Sequence, residues 1–91
     1  MASVRRVPRK FEFHWGKGIV KEEVSVLTPY HEPTIQLLQY DTGERALRFC
    51  VYHGRQFSRV PMIIDEQTLG RLGAEVRKNR SLHRLLKKLV D

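Results

Sequence analysis

The sequence predicts an α+β chain: an antiparallel sheet of about four strands, followed by a C-terminal helix or helices that cover one face. Three observations carry that expectation. Apolar and polar residues alternate with a period of two in segments between Arg9 and Ile64, as half-buried strands require. Two glycine-bearing turns, Asp41-Thr42-Gly43 and Gly54-Arg55, join such segments. At Asp65 the apolar period changes to helical spacing. The 91 residues read as one domain with a basic, flexible N-terminus (1–8), a sheet (9–64) and a helical segment (65–91). A compact chain of this length has a radius of gyration of about 12 Å.

The elements follow in order. Met1 to Pro8 is short and basic and is expected to fray, leaving Arg5 and Arg6 free. From Arg9 to Trp15 the alternation is clean, with Phe11, Phe13 and Trp15 on one side and Lys10, Glu12 and His14 on the other. Gly16-Lys17-Gly18 breaks or turns the chain, and Ile19 to Leu27 resumes strand character with an ambiguous facing, because Val26 and Leu27 are adjacent. Thr28 to Pro33, bracketed by Pro29 and Pro33, is a loop. Ile35 to Ile64 holds three strands. Asp65 caps a helix with apolar positions Leu69, Leu72 and Val76. Asn79 and Arg80 interrupt it, and Ser81 offers a new cap for a leucine stripe of Leu82, Leu85, Leu86, Leu89 and Val90 opposite Arg84, Lys87 and Lys88. That stripe is core or dimer contact in preference to a membrane surface.

The two turns fix a register, and the register sorts side chains. A three-residue loop with Gly43 in the left-handed position sets Tyr40 opposite Glu44, and a two-residue turn sets Tyr52 opposite Phe57. One face then carries Ile35, Leu37, Leu47, Phe49, Val51, Val60, Met62 and Ile64, and the helices should cover it. The other carries Gln36, Tyr40, Arg48, Tyr52, Phe57 and Arg59 and should stay open. Arginine interleaved with aromatics suits single-stranded nucleic acid, since rings stack on any base and guanidinium groups track the backbone. The alternative is a surface onto which a partner subunit or the chain's own first strands pack.

Charge points the same way as the first of these readings. The net charge is +7, which favours a polyanion, nucleic acid before membrane. It is segmental, with +5 over residues 1–21, −5 over 22–44, +4 over 45–64 and +3 over 65–91, so a basic stripe is expected. No apolar run reaches the ~20 residues of a membrane span, and the first ten residues lack the apolar core of a signal peptide. One cysteine, Cys50, excludes an internal disulfide and makes a reducing cytoplasm the default location. A chain this small buries only ~60 to 65% of its unfolded surface, and a second subunit would help stabilise it.

Phe57 to Leu72, a last strand running into Asp65-Glu66-Gln67 and then a leucine-bearing helix, resembles the strand-to-helix junction of the single-stranded-DNA-binding transcriptional coactivators of the positive-cofactor and Whirly type. The similarity covers Phe11 to Val76 in the order and spacing of elements. It implies a strongly curved sheet, a homodimer paired through the helices, and a non-enzymatic role in transcription regulation. By position it implies DNA-facing Arg48, Tyr52, Phe57 and Arg59, with Lys10 and Lys17 along the edge; the register alone adds Tyr40 to this candidate nucleic-acid-binding set. The acidic Glu22, Glu23 and Glu32 and the second helix depart from that plan.

Other chemistry finds little footing in the sequence. His14, His31, His53 and His83 are widely separated and lack zinc spacing, so no metal or other cofactor is expected. Cys50, between Phe49 and Val51 in a strand, reads as a structural thiol. Gly16-Lys17-Gly18 lacks phosphate-cradle spacing. Tyr52, His53 and Arg55 at a hairpin tip could act as base, acid and phosphate clamp in a small basic ribonuclease. The sequence therefore leaves three functions, in order: single-stranded DNA or RNA binding, a dimeric protein-interaction domain, and a ribonuclease.

Overall fold

Six antiparallel strands and two helices form the chain in a computed structural model that describes residues 5–13, 16–54, 56–57 and 61–91. They are β1 (Arg9–Phe13), β2 (Gly16–Ser25), β3 (Glu32–Tyr40), β4 (Arg45–His53), β5 (Gln56–Phe57), β6 (Met62–Asp65), α1 (Glu66–Arg77) and α2 (Arg80–Val90). The strands run β1-β2-β3-β4 across one sheet, and β5 and β6 both pair with the free edge of β4. Five strand positions are thus occupied. The α+β class and antiparallel sheet read from the sequence hold, as does the curvature that the resemblance implies.

Both turn registers agree with the sequence. The Tyr40 N–H donates to the Glu44 carbonyl at 2.9 Å, the Gly43 N–H donates to the Tyr40 carbonyl at 2.8 Å, and Gly43 takes φ +93°. Tyr52 lies opposite Phe57, with Gly54 at φ +61°. Arg55 and Val60 lie outside the described residues, as do His14 and Trp15.

Two boundaries differ. Gly16 and Gly18 open β2 and pair with Phe13 and Phe11, so they do not form the turn. A Cβ on Gly18 would come within 2.1 Å of the Gln39 carbonyl oxygen, and one on Gly16 within 2.9 Å of the Tyr40 ring. These glycines let β3 and the aromatic rings approach bare backbone. Strand β3 starts at Glu32, and the loop before it is held by Thr28, whose Oγ1 donates to the His31 carbonyl at 2.7 Å and accepts from the Tyr30 and His31 N–H groups. A bulge between Val20 and Glu22 shifts the β2–β3 register, and β2 ends at Ser25, before the adjacent Val26 and Leu27 that left its facing ambiguous in sequence.

The larger difference is which face lies inside. In a flat sheet three strand spacings of ~4.8 Å would set β1 about 14 Å from β4. Here the Arg48 guanidinium of β4 lies 5.2 Å from the Phe13 ring of β1 and 5.7 Å from that of Phe11. The sheet has curled so far that its first strand covers its fourth. The concave side holds Val20, Thr34, Gln36, Leu38, Ala46, Arg48, Cys50 and Tyr52, all buried, and this is the face expected to stay open. The outer side carries the apolar set Ile35, Leu37, Leu47, Phe49 and Val51, each half-buried. Helix α1 meets β4 and β6 on that side, where Ile64 is buried, yet neither helix buries a residue of its own.

Candidate functional site

Cross-strand pairing builds the inside of the curl in rows. Glu23 of β2, Gln36 of β3 and Arg48 of β4 are successive partners across the sheet, so their side chains meet on the concave face. Arg48 donates through Nε to Gln36 Oε1, and Gln36 Nε2 donates to Glu23 Oε2 at 2.6 Å and to the Tyr52 hydroxyl at 3.1 Å. The amide is thereby oriented from both ends. A second row sets Glu32 beside Tyr52 and Phe57.

The N-terminal arginines close the curl. Arg9 Nη2 donates to Glu23 at 2.9 Å and to the Tyr52 hydroxyl at 3.3 Å. Arg5 forks onto both Glu32 oxygens at 3.3 Å and stacks 3.5 Å above the Tyr52 ring. Ser25 Oγ donates to Glu32 at 2.6 Å. Arg5, expected to be free, is one of the residues that hold the fold together. No buried side-chain nitrogen or oxygen among the described residues lacks a hydrogen-bond partner.

The titration shifts follow from these contacts. Burial opposes the charge of Glu23, but hydrogen bonds from Arg9 and Gln36 outweigh it and hold the carboxyl below its ordinary range. Burial likewise opposes Arg9, and the Glu23 partner overcomes it. Hydrogen bonds from Ser25 and Arg5 lower Glu32. Arg48 differs, because desolvation dominates and lowers its pKa. Its charge is held by the Gln36 amide and by three rings, of which Phe57 is nearest at 4.7 Å. Desolvated cation–π contacts of this kind contribute about 2 kcal/mol. Burial also raises the Cys50 thiol and the Tyr40 hydroxyl.

The residues predicted from the sequence to contact nucleic acid therefore separate. Tyr40, Arg48, Tyr52 and Phe57 converge as the register required, but inside the curl, with Arg48 at 5% and Tyr52 at 8% exposure. Tyr40 and Phe57 are half-buried and touch Phe11 and Tyr52 edge-on. Lys10 and Lys17 pair with Ile19 and Glu12 on the outer side, both exposed. Arg59 lies outside the described residues. Of the two readings of this face, packing of the chain's own first strand accounts for it. Phe11, Phe13, Glu23 and Glu32 were missed as partners because only the bulged β2 register and the curl bring them to Arg48 and Tyr52.

Tyr52 and His53, named together for ribonuclease chemistry, are adjacent in a strand and face opposite ways. Tyr52 is buried, whereas His53 is exposed and stacks on His31 with ring centroids 6.1 Å apart. At the mouth of the curl a cavity of about 740 Å³ is lined by Lys17 and Tyr40 together with Asp41, Glu44 and Asp65. Among the described residues its carboxylates outnumber its cations, which disfavours phosphate. Among the described residues no group of three or more His, Cys, Asp or Glu side chains is placed to hold a metal ion, and no helix is long and apolar enough to cross a membrane. No family model matches the chain, and neither a curated protein nor a solved structure matches it.

Proposed function

We propose that this protein is a non-enzymatic nucleic-acid-binding protein that holds its ligand by the phosphate backbone. What carries the reading is how the fold sorts charge. Glu23 and Glu32 are turned inward onto Arg9 and Arg5, while helix α2 presents Arg80, Arg84, Lys87 and Lys88, all exposed, with no acid anywhere along it. A +7 chain whose second helix displays four cations and no acid attracts polyanions. The single-stranded form of the ligand, DNA or RNA, and a place in transcription rest on the resemblance to the coactivators. Fluorescence anisotropy of labelled single-stranded and duplex oligonucleotides across a salt series tests the reading. The expected result is binding whose log affinity falls linearly with log salt, tighter for single strands. Binding that salt leaves unchanged would remove it.

A second reading, a dimeric protein-interaction domain, is favoured by a separate observation. Leu82, Leu85, Leu86, Leu89 and Val90 of α2 are 42–78% exposed, and Val24, Val26 and Met62 on the outer sheet face are exposed as well. Leu89 borders the same cleft as Val24, Val26 and Met62. A continuous apolar surface of this extent marks an association site. The two readings are compatible, since a homodimer paired through its leucines still shows its cations.

A further inference from the structure

We propose that the cationic arc of α2 is the surface that grips the nucleic-acid backbone, so that the site lies on the second helix and not on the sheet. This rests on the nucleic-acid reading above. Arg80, Arg84, Lys87 and Lys88 stand at spacings of four, three and one, which a helix gathers on one side. At about 100° per residue, that arc is centred roughly half a turn from the arc of Leu82, Leu85, Leu86 and Leu89. The asparagine cap at Asn79 and the absence of Gly or Pro within α2 keep the row straight and continuous.

Several other cations of the chain are already engaged. Arg5 and Arg9 bind Glu32 and Glu23 inside the curl, Arg45 binds Glu66, Lys78 binds Glu75, and Arg48 is buried among phenylalanines. Arg71 lines a cleft with Glu44, Asp65 and Glu66, and Lys21 is followed directly by Glu22 and Glu23. No ion pair to a described residue engages Arg80, Arg84, Lys87 or Lys88, and these four stand together on a helix that carries no acid. Lys87 and Lys88 also sit in the last turn, where the helix dipole favours positive charge.

The dimensions fit a backbone. Arg80, Arg84 and Lys88 rise in steps of about 6 Å and span about 12 Å, the axial length of three to four stacked nucleotides at ~3.4 Å each. No Phe, Tyr or Trp lies in α2, so contact is chiefly electrostatic and indifferent to base sequence. An anionic lipid surface fits less well. An interfacial helix buries its apolar arc in the lipid, and here Leu89 of that arc already borders the cleft lined by Val24, Val26 and Met62.

The test compares two double variants that each lower the net charge by two. R84Q/K88Q is expected to weaken single-strand binding at least ~10-fold at about 50 mM salt and to flatten the slope of log affinity against log salt by about 1.4, two lost phosphate contacts. K21Q/R71Q is expected to change either quantity little, and R84K/K88R to restore both. Equal losses in the two glutamine doubles would mean diffuse attraction and would overturn the α2 site while leaving nucleic-acid binding in place. A wild-type chain that binds no oligonucleotide at any salt would overturn both. Co-sedimentation with phosphatidylglycerol vesicles, lost in R84Q/K88Q while oligonucleotide binding is unchanged, would reassign the arc to lipid and also overturn the proposal.

Discussion

A single amide decides how Arg48 can sit inside the sheet. Gln36 is wholly buried. It accepts from Arg48 and donates to Glu23, and so passes the influence of the carboxylate to a guanidinium that does not touch it. Removing one member of a buried charged set costs ~3 to 5 kcal/mol, because the others keep their desolvation cost without their partner. Glu23→Gln should therefore destabilise the fold by about that amount at pH 7, measured by urea unfolding. The pH dependence adds a sharper check. Glu23 is held below its ordinary pKa, so its stabilising contribution is complete above about pH 5 and is lost as the pH falls through about 4 and below. The wild type should lose stability across that range, and the variant should lose less. Glu32 and Asp65 are lowered too and leave the variant a residual slope. An unchanged acid limb in Glu23→Gln would show that this carboxyl is not where the pH dependence resides.

At the scale of elements, local chemistry was legible and coiling was not. The Asp41-Thr42-Gly43 loop, the Gly54 turn and the Asp65 cap each depend on a few neighbouring residues, and the sequence places all three. It also groups Gln36, Tyr40, Arg48, Tyr52 and Phe57 correctly on one face, because alternation and two turns suffice for that. It does not tell which face is concave. Two features beyond local pattern go with it: Gly16 and Gly18, where Gln39 and Tyr40 of β3 close over bare backbone, and the bulge at Lys21, which carries Glu23 inward. Each acts through contacts between strands distant in sequence. The cap of α2 is a smaller instance. Ser81 and Asn79 are both good capping residues, but the Leu82 N–H donates to Asn79 Oδ1 at 3.0 Å, and Ser81 lies within the first turn. Asn79→Ala should cost ~1 kcal/mol in thermal or urea unfolding, and Ser81→Ala almost nothing. The reverse order would return the cap to Ser81.

Over the whole molecule, the helices are unfinished business for a single chain. The radius of gyration is 14.2 Å against the ~12 Å expected of a compact chain of this length, and α1 and α2 bury none of their residues. A standard interface takes roughly 800 Å² from each partner. The leucine arc of α2, continuous through Leu89 with Val24, Val26 and Met62, offers an apolar surface on which a second copy could build one. A two-fold pairing would bury that arc in both copies at once and turn both cationic arcs to solvent on opposite sides, so that a long strand meets two sites on each dimer. Sedimentation equilibrium at micromolar concentration should therefore give twice the 10.7 kDa chain mass. Leu85→Glu, at a position 65% exposed within its own chain, should return the mass to one chain while leaving the far-ultraviolet circular dichroism unchanged, because nothing inside the protomer depends on that side chain. Single-strand affinity should fall in the same variant even though no cation has been removed. A wild-type monomer at high concentration would end the pairing, and full affinity in a monomeric Leu85→Glu protein would show that one helix suffices to hold the backbone.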